Sequence, residues 1–359
     1  VGIDPALFQE NERTAPTADE RQFAEVGALT CETGGFLPSV QVAYETWGTL
    51  NAAKDNAVLV CHALSGDSHA IGWWERLIGP GKAINTDQFF VIGTNSLGGC
   101  QGTTGPASKD EAGKIYRTRF PMVTVGDMVE VQSRLIERLG IDQLHAVAGG
   151  SMGGMQALEW TVRKPGRVKK CFATASCAAH NAMQIGFNEA ARQAVMRDDR
   201  WKGGEYEEGQ GPEGGLAVAR MIGHLSFLSE AAFEAKFARR LQDKDRPDYH
   251  LGIDFQIESY LSYQGDKFTK RFDANSLLYL TKAIDYYDLR EFTGSQSEYL
   301  FVSFTSDWLY PSHQSEDLKK MADAKSLNAE HYVIDLPYGH DGFLLDGEIQ
   351  GGAVRTFLS

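Results

Sequence analysis

Apolar residues in this chain fall into two kinds of run, and the two kinds take turns. The short continuous runs Ala57-Val-Leu-Val-Cys-His62, Phe89-Phe-Val-Ile-Gly93, Leu144-His-Ala-Val-Ala148 and Lys170-Cys-Phe-Ala-Thr-Ala175 read as strands buried on both faces. Between them, apolar positions recur at helix spacing. Met128, Val129, Leu135, Ile136 and Leu139 predict a helix over 125–139 ending at Gly140, and 153–163 predicts another stopping near Pro165. This alternation predicts a mostly parallel α/β sheet with helices on both faces. Two earlier runs, 29–32 and 40–44, flank Gly34-Gly35 and predict a hairpin.

The rhythm changes after Ala179. From there to Phe292 no run reads as a buried strand. Residues 216–227, 229–241 and 275–283 read as helices, and the Gly- and Glu-rich 201–214 as a surface loop. Strands return at 299–304 and 331–336, separated by a helix over 314–324. The pattern therefore predicts an α/β core in two pieces, 1–179 and 296–359, interrupted by a helical insertion over 180–295.

Composition narrows the function classes. The 359 residues are enough for a large core, and 35 Lys+Arg against 48 Asp+Glu leave a formal charge of -13. That balance argues against a nucleic-acid partner, because binding a phosphate backbone needs clustered cations. No run of 18 apolar residues predicts a membrane span, and the acidic first thirty residues carry no apolar core of a secretory signal. A start at Val1 rather than Met leads us to expect a missing N-terminal piece. The five cysteines, 31, 61, 100, 171 and 177, are scattered without a CxxC pair. They predict reduced, mostly structural thiols in a cytoplasmic protein, with neither disulfide framework nor zinc site.

Chemistry concentrates at Gly149-Gly150-Ser151-Met152-Gly153-Gly154, between a predicted strand and a predicted helix. A nucleophilic serine needs such a strained turn with small neighbours, and the helix that follows aims free N–H groups at the site. G-x-S-x-G is a weak pattern alone, and its strand–turn–helix setting strengthens it. Such a serine needs an acid and then a histidine later in the chain. Asp307 and His340 follow predicted strands at their C-terminal ends, where open α/β sheets build sites. His313 and His331 are worse placed, and Asp335 falls inside a strand. The oxyanion hole would take the Met152 N–H and a second N–H, from Leu64, in the loop Cys61-His-Ala-Leu-Ser-Gly66. His62 reads as a support for that loop rather than a catalyst. The glycine-rich 95–106 lacks the Gly-Lys-Ser/Thr of a phosphate loop and reads as an irregular wall of the site.

Several separated segments are then specific. His62-Ala-Leu-Ser-Gly-Asp67, Gly72-Trp73-Trp74, 95–106, Gly149 through Trp160 and Tyr338-Gly-His-Asp341 together resemble the homoserine O-acetyltransferase family, and the likeness runs from Val40 to Leu344. The resemblance implies an α/β-hydrolase fold with an inserted helical lid. It implies transfer of an acetyl group from acetyl-CoA to the L-homoserine hydroxyl in methionine biosynthesis, without a bound cofactor or metal. It also implies a homodimer joined through the lid, without a membrane or nucleic-acid partner. Ser151, Asp307 and His340 match the family's nucleophile, acid and base. Arg220 matches the arginine that holds the substrate carboxylate, and Asp341 the residue that receives the substrate ammonium. The chain departs from the family at Phe227, where a tyrosine is common. Leu309 stands where succinyl-CoA users tend to carry arginine, and an apolar side chain there would leave a succinyl carboxylate unpaired. Acetyl-CoA is the expected donor. L-Serine as acceptor, succinyl-CoA as donor, and a serine esterase remain open alternatives at this point.

Overall fold

The structure, a computed structural model, describes residues 21–207 and 209–359. The expectations for an absent leader and for a missing N-terminal piece lie outside the described residues, apart from positions 21–30. Eight strands form one sheet: β1 (Gln22–Glu25), β2 (Gln41–Trp47), β3 (Ala57–Cys61), β4 (Phe90–Thr94), β5 (Leu144–Gly150), β6 (Val168–Thr174), β7 (Glu298–Phe304) and β8 (Ala329–Ile334). They lie in the order β1-β2-β4-β3-β5-β6-β7-β8. Pairing is parallel from β4 to β8 across the sheet, and antiparallel where β2 meets β1 and β4.

Each central strand is one of the continuous apolar runs, for the expected reason. All five residues of β3 are buried, and odd and even positions feed different cores. Leu59 and Val147 pack with α1 (Val125–Arg138) and α2 (Met152–Arg163) on one face. Val58, Ala146 and Phe172 pack with Trp74 and Phe343 on the other. A capping box at Thr124, with Asp127 reaching back, starts α1, and Gly140 at φ +71° follows its end.

The hairpin over 29–44 is corrected. Leu29–Thr30 pairs instead with Phe36–Leu37, just across Gly34-Gly35. The expected second strand, β2, pairs with β1 and β4, because it runs on through Trp47 into the main sheet. A tight turn sets only its immediate neighbours, whereas β2 follows the larger buried surface.

Between β6 and β7 the described chain is helical: α3 (Ala182–Met196), α4 (Glu213–Phe227), α5 (Glu230–Lys236), α6 (Gln256–Thr269) and α7 (Ala274–Tyr286). α3 and α6 were not expected. The helix expected over 229–241 stops at Lys236, and 201–214 is not wholly a surface loop. Trp201 donates to Asn275 at 3.0 Å, and the buried Tyr206 hydroxyl donates to Asp273 at 2.7 Å. Two aromatic anchors thus dock a stretch whose average composition is that of a loop. After β7 come α8 (Ser312–Asp323), β8, a short turn over Gly339–Asp341, and α9 (Ile349–Leu358).

Among the described residues all five cysteines are free thiols. Burial raises the thiol pKa of Cys31, Cys100 and Cys177 to about 12, and pushes those of Cys61 and Cys171 further up. No single described helix is long and apolar enough to cross a membrane.

Candidate active site

Ser151 sits at the junction of β5 and α2 with φ 55° and ψ -125°, a left-handed conformation that a residue with a side chain adopts only under constraint. The constraint is tertiary. Its N–H donates to Thr174 O at 3.1 Å, and its carbonyl accepts from the Ser176 hydroxyl at 2.9 Å. The turn also needs bare backbone close by. A Cβ on Gly153 would fall 2.1 Å from Cys61 O, so glycine lets α2 press against the loop after β3. Behind the elbow lies a buried polar string. Trp160 donates to Gln132 at 2.8 Å, Gln132 donates to Gln156 at 2.8 Å, and Ser96 donates to Gln156 at 3.1 Å. Buried polar atoms joined in this way are satisfied, and they hold the turn in one arrangement.

The acid and base expected after β7 and β8 meet. His340 Nδ1 lies 2.8 Å from Asp307 Oδ2, with both side chains buried. A carboxylate only accepts, so Nδ1 carries the proton and Nε2 is left to serve as base. The other oxygen, Asp307 Oδ1, accepts from the backbone N–H groups of Leu309 at 3.0 Å and Tyr310 at 2.8 Å. Both carboxylate oxygens are therefore fixed. Tyr310 was not among the expected site residues, although its ring stacks on His340 at 4.8 Å and 19°. Its only signal in the sequence is its place three residues after Asp307.

The loop after β3 holds its shape through His62. Nε2 accepts from Ser96 N–H at 2.9 Å, and Nδ1 lies 2.7 Å from Ala63 O. Burial pushes this imidazole below its ordinary pKa, so the ring is neutral, with Nδ1–H donating and Nε2 accepting. This agrees with the supporting role expected of it. Leu64, next in that loop, and Arg220, Phe227 and Leu309 wall one cavity together with Ser65 and Phe268. Met152 opens α2, so its N–H has no carbonyl one turn back to bond.

Arg220 lies on α4, with its guanidinium 4.9 Å above the Phe268 ring and 5.7 Å from Phe227, and one nitrogen 3.3 Å from the Ser65 hydroxyl. Two aromatic faces thus hold a cation at the cavity wall. Phe227 in turn reaches the base, with ring centroids 6.1 Å from His340. Asp341 follows His340 in the same short turn but is not part of that cavity's wall. Arg271, also not expected, donates to Ser65 O and so ties α6 to the loop after β3.

The segment 95–106, expected as an irregular wall of the site, is tied to β2. Thr103 and Thr104 accept from the N–H groups of Ala43 and Gln41 on β2, and Thr103 donates to Asn95 O at 2.7 Å. It fastens β2 to His62, and it is not part of the wall that Leu64, Arg220 and Leu309 share. The sequence shows its glycines, but the β2 edge that its threonines satisfy is visible only in the fold.

Residues 56–347 match the family model described as alpha/beta hydrolase fold. A protein named homoserine O-acetyltransferase from Desulfotalea psychrophila is 48% identical over 95% of this chain and 94% of its own length. A crystal structure of homoserine O-acetyltransferase from Bacillus anthracis superposes with a TM-score of 0.88 at 29% identity, covering 95% of this chain and 97% of that one. The crystal structure of esterase E22 superposes with a TM-score of 0.86, also at 29% identity, covering 95% and 100%.

Proposed function

The chain belongs to the homoserine O-acetyltransferase family of α/β hydrolases, and from that premise we propose that it moves an acetyl group from acetyl-CoA to the hydroxyl of L-homoserine. In this reaction His340 Nε2 takes the Ser151 proton as Ser151 Oγ attacks the thioester carbonyl. The N–H groups of Met152 and Leu64 receive the oxyanion, and the tetrahedral intermediate collapses to acetyl-Ser151 and CoA thiolate, which the imidazolium protonates. Homoserine then enters. His340 deprotonates its hydroxyl, that oxygen attacks the acetyl carbonyl, and Ser151 Oγ leaves with the proton. The product is O-acetyl-L-homoserine, and the kinetics are ping-pong.

The observation that carries this reading is the cavity wall. A buried Asp307–His340 pair serves esterases and transferases alike, but a guanidinium held between Phe268 and Phe227, whose ring contacts the base, suits an acceptor that bears a carboxylate. Asp341, next to the base, is our choice for the acceptor's ammonium. The buried Leu309 in the same wall supports acetyl over succinyl donors. The exposed Met183 and Ile185 on α3, and Val218 and Leu225 on α4, support a homodimer through these helices, and we place the enzyme in the cytoplasm.

CoA release from acetyl-CoA, followed with a thiol reagent with and without L-homoserine, tests the proposal. Homoserine should accelerate release at least about tenfold and L-serine less, since one methylene is worth about 1–3 kcal/mol in a pocket. Ser151→Ala should be inert in every arm while melting like the wild type. Release that is indifferent to homoserine would identify an esterase, as in the E22 relative.

A further inference from the structure

β7 and β8 run side by side and carry the acid and the base on the segments that leave them. Their register ends at Phe304 opposite Ile334, and Thr305 N–H donates to Ile334 O at 3.0 Å. Beyond that bond each chain leaves the sheet, one towards Asp307 and the other towards His340. His340 Nδ1 must still arrive 2.8 Å from Asp307 Oδ2, so the two segments have to keep step without a ladder. One hydroxyl lies between them. Ser306 Oγ accepts from Gly339 N–H at 2.9 Å and donates to Leu336 O. Ser306 precedes the acid and Gly339 precedes the base. Their bond, like the acid–base bond itself, joins positions 33 apart. Neighbouring bonds tie other points. The Thr305 hydroxyl donates to Asp335 Oδ1 at 2.7 Å, the Ser229 hydroxyl to Pro337 O, and Trp308 Nε1–H to Leu228 O at 3.0 Å. None of these three bonds ends on the Gly339–Asp341 turn.

We infer that Ser306 is a positioning residue that sets His340 against Asp307. A hydroxyl suits the place, because one proton and two lone pairs let it satisfy a carbonyl and an N–H at once. With its proton committed to Leu336 O, its lone pair receives Gly339 N–H. Both ends of 336–339 are then fixed to one atom of the residue next to the acid. The far side of the turn is closed by backbone, since Ser229 N and Phe227 O lie where a Gly339 Cβ would fall. The base is thus held between the start of α5 and the acid loop. Ser306 also lines an open groove with Thr305, Trp308, Leu336 and Pro337. From that side water can enter and satisfy Leu336 O and Gly339 N–H when the hydroxyl is missing. Such a water is not bonded covalently to the acid's neighbour. Loss of the hydroxyl therefore loosens the acid–base register more than it weakens the fold.

This role rests on Asp307 and His340 being the acid and base of the proposed reaction, so the test separates the two. Turnover of p-nitrophenyl acetate needs that pair but neither CoA nor homoserine. Wild-type turnover in His340→Ala would remove the base assignment and this role together. With His340→Ala inert, Ser306→Ala decides. Its kcat, counted per site labelled to completion by a fluorophosphonate, should fall on the order of tenfold, as misplaced reacting groups do, with KM within about twofold of the wild type. The low-field proton resonance of His340 Nδ1–H reports the bond to Asp307, and it should move or broaden. Ser306→Thr keeps the hydroxyl and should restore both readings. Thr305→Val removes the adjacent tether and should change neither. A wild-type kcat and resonance in Ser306→Ala would overturn the proposal, as would an equal loss in Thr305→Val. If Ser306→Ala fails to fold, Ser306→Cys keeps a similar shape with a weak donor and acceptor, and wild-type values there have the same consequence.

Discussion

On the proposed function, Leu309 is the side chain that would separate two donors. It is 8% exposed, two residues past Asp307, in the wall that Arg220 shares. A succinyl carboxylate brought against Leu309 would face an apolar side chain. Leu309→Arg should raise the ratio of succinyl-CoA to acetyl-CoA turnover, in kcat/KM, by about tenfold or more, the equivalent of about 1.4 kcal/mol. An unchanged ratio would mean that the distal end of the acyl group lies elsewhere. His62 makes a different prediction at the same scale. Its folded pKa is depressed from 6.5, chiefly by burial. Below that value the unfolded chain takes up the proton first, so the stability held above pH 6.5 is lost as pH falls towards the folded value. His62→Gln cannot titrate. Melting temperature should therefore drop between pH 7 and 5 more steeply in the wild type than in the variant, and parallel curves would sink the argument.

At the scale of elements, the site depends on how the Gly339–Asp341 turn lies against the end of α4. Gly339 has φ +70°, and a Cβ there would fall 2.5 Å from Ser229 N and 2.7 Å from Phe227 O. Both objections come from backbone, so neither can swing aside. Gly339→Ala should cost about 1–3 kcal/mol of stability and lower kcat at least tenfold by moving His340, with a smaller effect on substrate KM. Chemical denaturation and steady-state kinetics on the same variant check both parts. Legibility also varied by element. β3, β5 and β6 were readable because a strand covered on both faces has to be apolar throughout. β8 was found two residues late, since as an edge strand it leaves Tyr332 and Val333 exposed and its apolar run blurs. α3 and α6 were not expected, and few of their residues are buried, so the apolar stripe that marks a helix is thin.

Over the whole molecule, a formal charge of -13 opposes an anionic CoA donor. Lys267 lies in the last turn of α6, Lys270 and Arg271 follow it, and Arg271 bonds to Ser65 in the cavity wall and pairs with Asp67 at 3.8 Å. Cations within a Debye length, about 10 Å at 0.1 M salt, act on an anion more strongly than distant charges do. KM for acetyl-CoA should therefore rise as salt is added from low ionic strength, and Lys270→Glu should raise it further at low salt with kcat little changed. A KM that falls with salt would mean that the global field dominates. The sequence by itself determined the parallel core, the helical interruption, the strand–turn–helix setting of Ser151, and the places of Asp307 and His340 after β7 and β8. Each of these is a local demand that burial or backbone strain makes on residue type. The tertiary structure alone decided that β2 leaves its hairpin, that 95–106 fastens an edge, and that His180 meets the Tyr310 hydroxyl. Those outcomes depend on which surfaces meet, and contacts between residues more than 100 positions apart, such as His180 and Tyr310, leave no period or motif in the chain.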